Sequence, residues 1–242
     1  MSADRADEPR IMLAHGGGGV MMQELIGGLI LRHLGNPTLN RLEDAAVLEP
    51  CGSRLAFTTD AFVVKPIFFR GGDIGRLAVC GTVNDLAAVG AEPLALSLSL
   101  VIEEGLAISV LDRVLQSVAA AAAEARVEVV TGDTKVVERG AADELFLITA
   151  GIGAVCDGVN LSPAEVRPGD AVIATGTLGD HGIAIISQRS GIEFESPVQS
   201  DVAPLAGLLE LLFAPRSPVR TPHSALPFIA CATRRAEGRR RC

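Results

Sequence analysis

A mixed α/β fold of the α+β kind, a sheet with helices packed beside it, is what this chain predicts, and three observations lead there. The stretch PLALSLSLVI (93–102) alternates strictly between apolar and other residues, the period of a half-buried strand. The stretch AISVLDRVLQSVAAAAAEAR (107–126) carries apolar residues at helical spacing and ends in an alanine run, a strong helix former. Three more short apolar runs, 54–64, 127–137 and 144–155, are bounded by Gly and acidic residues as strands are. With 242 residues the chain has room for one large domain or two modest ones. It contains neither Trp nor Tyr, so its core must be aliphatic.

The elements follow in order. RLAFTTDAFVV (54–64) reads as a strand running into an acidic turn. Asp73 can cap the helix IGRLAVCGTVNDLAAVG, with Ile74, Leu77, Ala78 and Gly81 on one apolar face. The strand at 93–102 puts Leu94, Leu96, Leu98, Leu100 and Ile102 on one side. In the following helix Val110, Val114, Leu115 and Val118 form the inward stripe. VEVVTGDTKVV and ELFLITAGIGAV supply two further strands. Arg167-Pro-Gly-Asp170 is a turn signal after which a new strand and helix are expected, so a domain boundary is placed near Gly158.

The net charge of −8 conceals an asymmetry. Residues 1–212 hold 14 of the 21 Lys and Arg but 28 of the 29 Asp and Glu, whereas residues 213–242 hold seven Arg and only Glu237. An acidic body argues against nucleic acid or an anionic membrane surface as partner. No apolar run is long enough to span a bilayer and the first ten residues lack a signal-peptide core, so a cytoplasmic protein is expected. Cys51, Cys80, Cys156, Cys231 and Cys242 show no metal-binding spacing and are expected as reduced thiols.

Four acidic turns carry the candidate chemistry: Asp44 in RLEDAAVL, Asp60 in FTTDAF, Asp85 in VNDLAAVGA and Asp133 in TGDTK. Any one of them ordinarily caps a turn. Taken together, on adjacent strands, their carboxylates would converge at one sheet edge, where repulsion is relieved by a divalent cation such as Mg²⁺ and, with it, phosphates. Lys135, one of two lysines in the chain, then becomes a phosphate contact. HGGGG at 15–19 leaves a backbone free to approach a phosphate closely, although it matches no nucleotide-binding fingerprint. Asp180 and His181 in GDHG sit at a helix start, a ligand-facing loop or an ordinary cap.

The strings LAHGGGG, GNPTLNRLEDAAVL, FTTDAFVVKPIFFRGGDIGRLAVCGTVNDLAAVGAEP, IEEGL, VTGDTKVVERG and GDHGIAI resemble the HypE family of hydrogenase expression/formation proteins. That family belongs to the wider group of ATP enzymes related to aminoimidazole ribonucleotide synthetase. The resemblance runs from about Ile11 to Phe213. It implies an N-terminal ATP-binding domain (1–158) that forms a homodimer through its sheet, and an α+β domain that starts at 159 and is incomplete by 213. By the same resemblance Asp60, Asp85 and Asp133 hold Mg²⁺ and ATP phosphates, with Asp44 as a weaker member. Asn84 and Lys135 lie nearby, and Gly16, Gly17, Gly18 and Gly19 close over the nucleotide. The implied activity is ATP-dependent dehydration of a carboxamide on the sulfur of a C-terminal cysteine to a thiocyanate, source of the cyanide ligands of [NiFe]-hydrogenase. The implied partners are the carbamoyltransferase that loads the cysteine and an iron-carrying assembly complex.

The tail departs from the family. The carrier cysteine there follows a Pro-Arg-aliphatic ending, whereas Cys242 follows three arginines, so the role is not carried over. Codons chosen for residues 227–238 and read two bases later spell Met-Arg-Asp-Pro-Thr-Arg-Gly-Gly, a string of the family. Residues 214–242 are therefore expected to be a frameshifted, unstructured tail. Two other functions stay open: a related ATP enzyme such as a selenophosphate or aminoimidazole ribonucleotide synthetase, and a dimerising or partner-binding fragment without catalysis.

Overall fold

The computed structural model describes residues 11–16, 19–171, 173–192 and 198–208. Two compact units divide the chain, a small one ending at Arg41 and a larger one beginning at Leu42. The small unit holds a short 3₁₀ turn (Leu13–Gly16) and a helical run of α1 (Val20–Leu25), a π-type turn (Ile26–Ile30) and α2 (Leu31–Leu34).

The larger unit is built on a five-stranded sheet. Its elements are β1 (Ala46–Leu48), β2 (Leu55–Phe62), a two-residue hairpin of β3 (Phe68–Phe69) and β4 (Gly72–Asp73), α3 (Ile74–Ala88), β5 (Ala91–Glu103), α4 (Ile108–Glu124), β6 (Val129–Val137), β7 (Leu145–Val155) and α5 (Asp180–Ser190). Strand order is β1-β2-β7-β5-β6. Every pairing is antiparallel except β5 with β6, which are parallel and joined by α4, because a parallel return needs a crossover.

Asp73 caps α3 as its sequence suggests: Oδ1 accepts from Gly75 N at 2.7 Å and from Arg76 N at 3.1 Å. The helix is buried on more than the expected face, since Val79, Cys80, Thr82, Val83 and Leu86 are enclosed as well. One side meets the sheet and another meets α4. Ile74, Leu77, Leu145 and Leu147 pack with Phe62 and Phe69 in one cluster, and Val79, Val83 and Leu96 pack with Val118 and Ala121 of α4 in another. Each such side chain, fully buried, stabilises the fold by about 1.5–3 kcal/mol. The core expected to be aliphatic also encloses the rings of Phe62 and Phe69, which supply aromatic area in place of Trp and Tyr.

Burial alternates along β2, where Ala56, Thr58 and Phe62 are enclosed and Phe57, Thr59 and Ala61 are not. Along β7 Leu145, Leu147, Thr149, Gly151, Gly153 and Val155 are enclosed in turn. One face of the sheet is thus roofed by α3 and α4, and the other is not covered by any described element of this unit. The strand at 93–102 forms, with one departure. The pairing of β5 with β7 shifts between Pro93 and Ala95, and the extra residue, Leu94, is 52% exposed instead of lining up with Leu96. In α4 Leu115 also falls outside the stripe, at 38% exposure, whereas Val114 and Val118 are buried.

Beyond β7 the turn at Arg167–Asp170 closes with Asp170 N donating to Arg167 O at 3.1 Å. The helix expected after it is α5. The strand expected between them is absent among the described residues: residues 171 and 173–175 have no ladder, and a strand persists only where a neighbour satisfies its N–H and C=O groups. Residues 214–242, and with them the tail expectation and Cys242, lie outside the described residues.

Candidate functional site

The middle of β2 and the second half of α3 bring predicted site residues from different elements together. Period-two alternation in FTTDAF sends Thr58 and Asp60 to the helix-covered face together. Gly81 and Asp85, four residues apart, share the face of α3 that looks back at them. Gly81 is what lets the two elements approach. A Cβ there would stand 2.7 Å from the Phe62 ring and 3.6 Å from Asp60 Oδ2.

In this enclosure the Thr58 hydroxyl faces two acceptors, Asp44 O at 3.0 Å and Asp85 Oδ2 at 3.3 Å. Burial of Asp85, and then the charge of nearby Asp60, push its carboxyl up to about 7, while the hydrogen bond from Thr58 works in the opposite direction. A carboxyl so placed is poised between protonation states at neutral pH. It would discharge its proton in favour of any cation that arrived. Behind the pair, Thr82 and Thr149 share a buried hydroxyl–hydroxyl hydrogen bond that ties α3 to β7.

Asp44, Asp60 and Asp85 are therefore brought together, Asp44 through its carbonyl oxygen. Asp133 is not. β7 and β5 lie between β2 and β6, so the two carboxylates are separated by three strand spacings, about 14 Å. They also leave opposite faces. The register row of Asp60 runs through Thr149 and Leu98 to Gly132, so Asp133 belongs to the next row, with Ser99 and Ile148, on the uncovered face. There its carboxylate pairs with Lys135 Nζ at 3.4 Å and accepts from Thr134 N at 2.8 Å. Gly132 is required by contact, since a Cβ there would collide with Leu98 O. Among the described residues no group of three or more acidic, His or Cys side chains converges to hold a metal.

Asn84, 2% exposed, turns away from Asp85. Its Nδ2 donates to Ala203 O at 2.9 Å and its Oδ1 accepts from Leu205 N at 2.7 Å. In HGGGG, Gly17 and Gly18 lie outside the described residues. Gly16 ends the 3₁₀ turn, Gly19 is the N-cap of α1 in extended conformation, and His15 Nδ1 accepts from Met12 N at 2.9 Å. In GDHG, Gly179 (φ +90°) opens α5, Thr177 donates to Asp180, and burial lowers the pKa of His181 against the opposing pull of Asp201.

Thr58 and Gly81 are the residues of this candidate site that sequence reading passed over. Both had a signal: Thr58 is two residues from Asp60 on a strand, and Gly81 is four from Asp85 on a helix.

Residues 42–155 match the family of AIR synthase related proteins, N-terminal domain. The chain is 51% identical over 197 residues to the carbamoyl dehydratase HypE of Bradyrhizobium diazoefficiens, a match covering 81% of this chain and 57% of that protein. The chain belongs to the HypE family. Two HypE crystal structures agree in fold. A HypE–HypF complex superimposes with TM-score 0.74 at 49% identity, covering 78% of this chain and 61% of the HypE-containing chain compared. HypE in complex with ATP superimposes with TM-score 0.66 at 48% identity, covering 85% and 61%. The chain thus spans less than two thirds of the length of the HypE proteins it matches.

Proposed function

We propose that this chain is the ATP-binding portion of a carbamoyl dehydratase that serves [NiFe]-hydrogenase maturation in the cytoplasm. The observation that carries the reading is the Asp60–Asp85 pair, enclosed between β2 and α3 in a chain half identical to HypE. Two neighbouring carboxylates, one of them held up to about 7 by burial and by the other's charge, are hard oxygen donors, and such donors fit Mg²⁺. When bound, Mg²⁺ would supply charge neutralisation for the phosphates of ATP. Asp60 and Asp85 would hold it, and Thr58 would orient Asp85.

In the proposed reaction the γ-phosphoryl group of ATP passes to the oxygen of an S-carboxamide. Phosphate then leaves in place of an oxide, and loss of both N–H protons yields the thiocyanate. A HypE–HypF complex supports a protein partner that loads the carrier sulfur.

The working unit of this reading is a homodimer formed through the sheet. The uncovered face places Phe57 and Ile152, opposite each other in register, at 44% and 42% exposure. Asp133 and Lys135 project from that same face, so a second copy packed there is the route by which they would join a nucleotide site. Residues from 159 onward are read as the opening of a second domain. The family match ends at 155, and Ile183 and Ile186 of α5 remain exposed as if awaiting the rest of a core.

Calorimetric titration with ATP in the presence of Mg²⁺ tests the reading. Saturable binding is expected, abolished by chelation of the metal and by Asp60→Asn. Failure of the folded chain to bind MgATP would overturn it.

A further inference from the structure

The segment Val198–Leu205 is laid across the larger unit and bonded to it at several points. Ser200 N donates to Arg70 O at 2.9 Å at the β3–β4 hairpin, where a Cβ on Gly71 would stand 2.7 Å from that same nitrogen. Val202, 4% exposed, fills the space above Gly72 and joins the cluster of Ile74 and Ile185. Arg76 Nε donates to Val202 O at 3.1 Å while its guanidinium forks onto Glu124 of α4 at 2.6 and 3.2 Å. At the far end the side chain of Asn84 is consumed by the backbone of Ala203 and Leu205.

The near end is tied to α5 and to the GDHG motif. His181 N donates to Asp201 Oδ1 at 3.2 Å, and the His181 ring meets Ser200 Oγ at 2.9 Å through Nδ1. Phe69 packs edge-on against that ring, with centroids 5.2 Å apart. Asp201 Oδ2 is buried with no hydrogen-bond partner among the described residues. A carboxylate facing the first turn of a helix is favourable, and here it fixes the strap to α5.

We propose that Val198–Leu205 is a strap that couples the GDHG turn of α5 to the Asp85 turn of α3, with Asn84 as the positioning residue that transmits it. The residue next to Asp85 is committed at both ends of its amide, so Asn84 does not touch the nucleotide. It sets the rotation and height of the helical turn from which Asp85 faces Asp60 and Thr58. Because the strap is contributed by residues beyond the AIR synthase related match, the nucleotide site is completed from outside its own domain. The proposal rests on the nucleotide reading given above, and goes beyond it in assigning Asn84 and the strap.

Leu205→Pro removes the N–H that Asn84 accepts and leaves Asn84 intact, and Leu205→Ala keeps that N–H as the control. Loss of one such bond is worth about a tenfold change in a local equilibrium. Two readouts are taken on the folded chain, hydrogen exchange of residues 82–88 without nucleotide and the Kd for MgATP. Leu205→Pro and Asn84→Ala should each speed exchange about tenfold and raise Kd about three- to tenfold, Leu205→Ala should do neither, and the double variant should be no worse than either single one. A strap that merely stabilised the fold would lower the unfolding midpoint and leave Kd of the folded chain unchanged. Normal exchange at 82–88 in Leu205→Pro, or a Kd changed by Asn84→Ala alone, overturns the strap. Faster exchange in a chain that binds no MgATP even as wild type would instead remove the nucleotide reading and keep the mechanical coupling.

Discussion

Replacing the Asp85 carboxyl by an amide (Asp85→Asn) separates the cost of the acidic pair from its use. The folded state lifts Asp85 from 3.8 to about 7, chiefly by burial. Between those values the folded chain keeps a proton that the unfolded chain has released. Stability therefore falls as pH rises through that window, and the full penalty is present above about pH 7. Roughly three units at 1.36 kcal/mol each amount to about 4 kcal/mol. The amide carries no such penalty at any pH, although its NH₂ group enters a site with few acceptors and gives back about 1–2 kcal/mol. Urea unfolding from pH 4 to 8.5 at one protein concentration is the assay, with a constant slope confirming a common two-state transition. Asp85→Asn should exceed the wild type by about 2–3 kcal/mol at pH 8 and should fall about 0.5–1.5 kcal/mol below it at pH 4, where the penalty of the carboxyl has nearly vanished and the cost of the amide has not. Parallel curves over the whole range, or a variant less stable at pH 8, would refute the placement of Asp85. Millimolar Mg²⁺ at pH 8 should stabilise the wild type and leave Asp85→Asn unmoved, because only a cation that binds the folded pair shifts its equilibrium.

Gly81→Ala drives a methyl group into the Phe62 ring, 2.7 Å away, in a core where that ring is 9% exposed. Overpacking costs about 1–3 kcal/mol against a gain of about 1 kcal/mol in helix propensity, so the urea midpoint should fall modestly while Mg²⁺ binding weakens more than stability does. On the uncovered face, Phe57→Asp combined with Ile152→Asp should convert a dimer into a folded monomer in light scattering, with the helical circular dichroism preserved; a dimer that survives the pair of changes would place the interface elsewhere.

Local grammar carried much of this chain. Asp73 reads as a helix cap because a short carboxylate before an apolar run can take up N–H groups that have no other partner, and it does so at 2.7 and 3.1 Å. β5 and α4 were legible from period, and β2, β6 and β7 from short apolar runs bounded by Gly and acidic residues. The departures have one cause. A bulge opposite Gly153 turned Leu94 outward, and no alternation pattern reveals where two strands fall out of step. Asn84 reads as a ligand-facing residue in VNDLAAVGA until a segment about 120 positions downstream is seen to use both ends of its amide.

Asp133 makes the same point at the site itself. The sequence by itself determined which four aspartates stand beside small residues, because composition and periodicity act within a few residues. The turns expected around them did not form at Asp60 and Asp133, which lie inside β2 and β6, or at Asp85, which lies inside α3. Only the tertiary structure decided that β7 and β5 separate Asp60 from Asp133 and that the two carboxylates leave opposite faces. Strand order and register are set by which apolar faces bury one another across the whole unit, and a one-residue change of register reverses the face of every side chain on the strand.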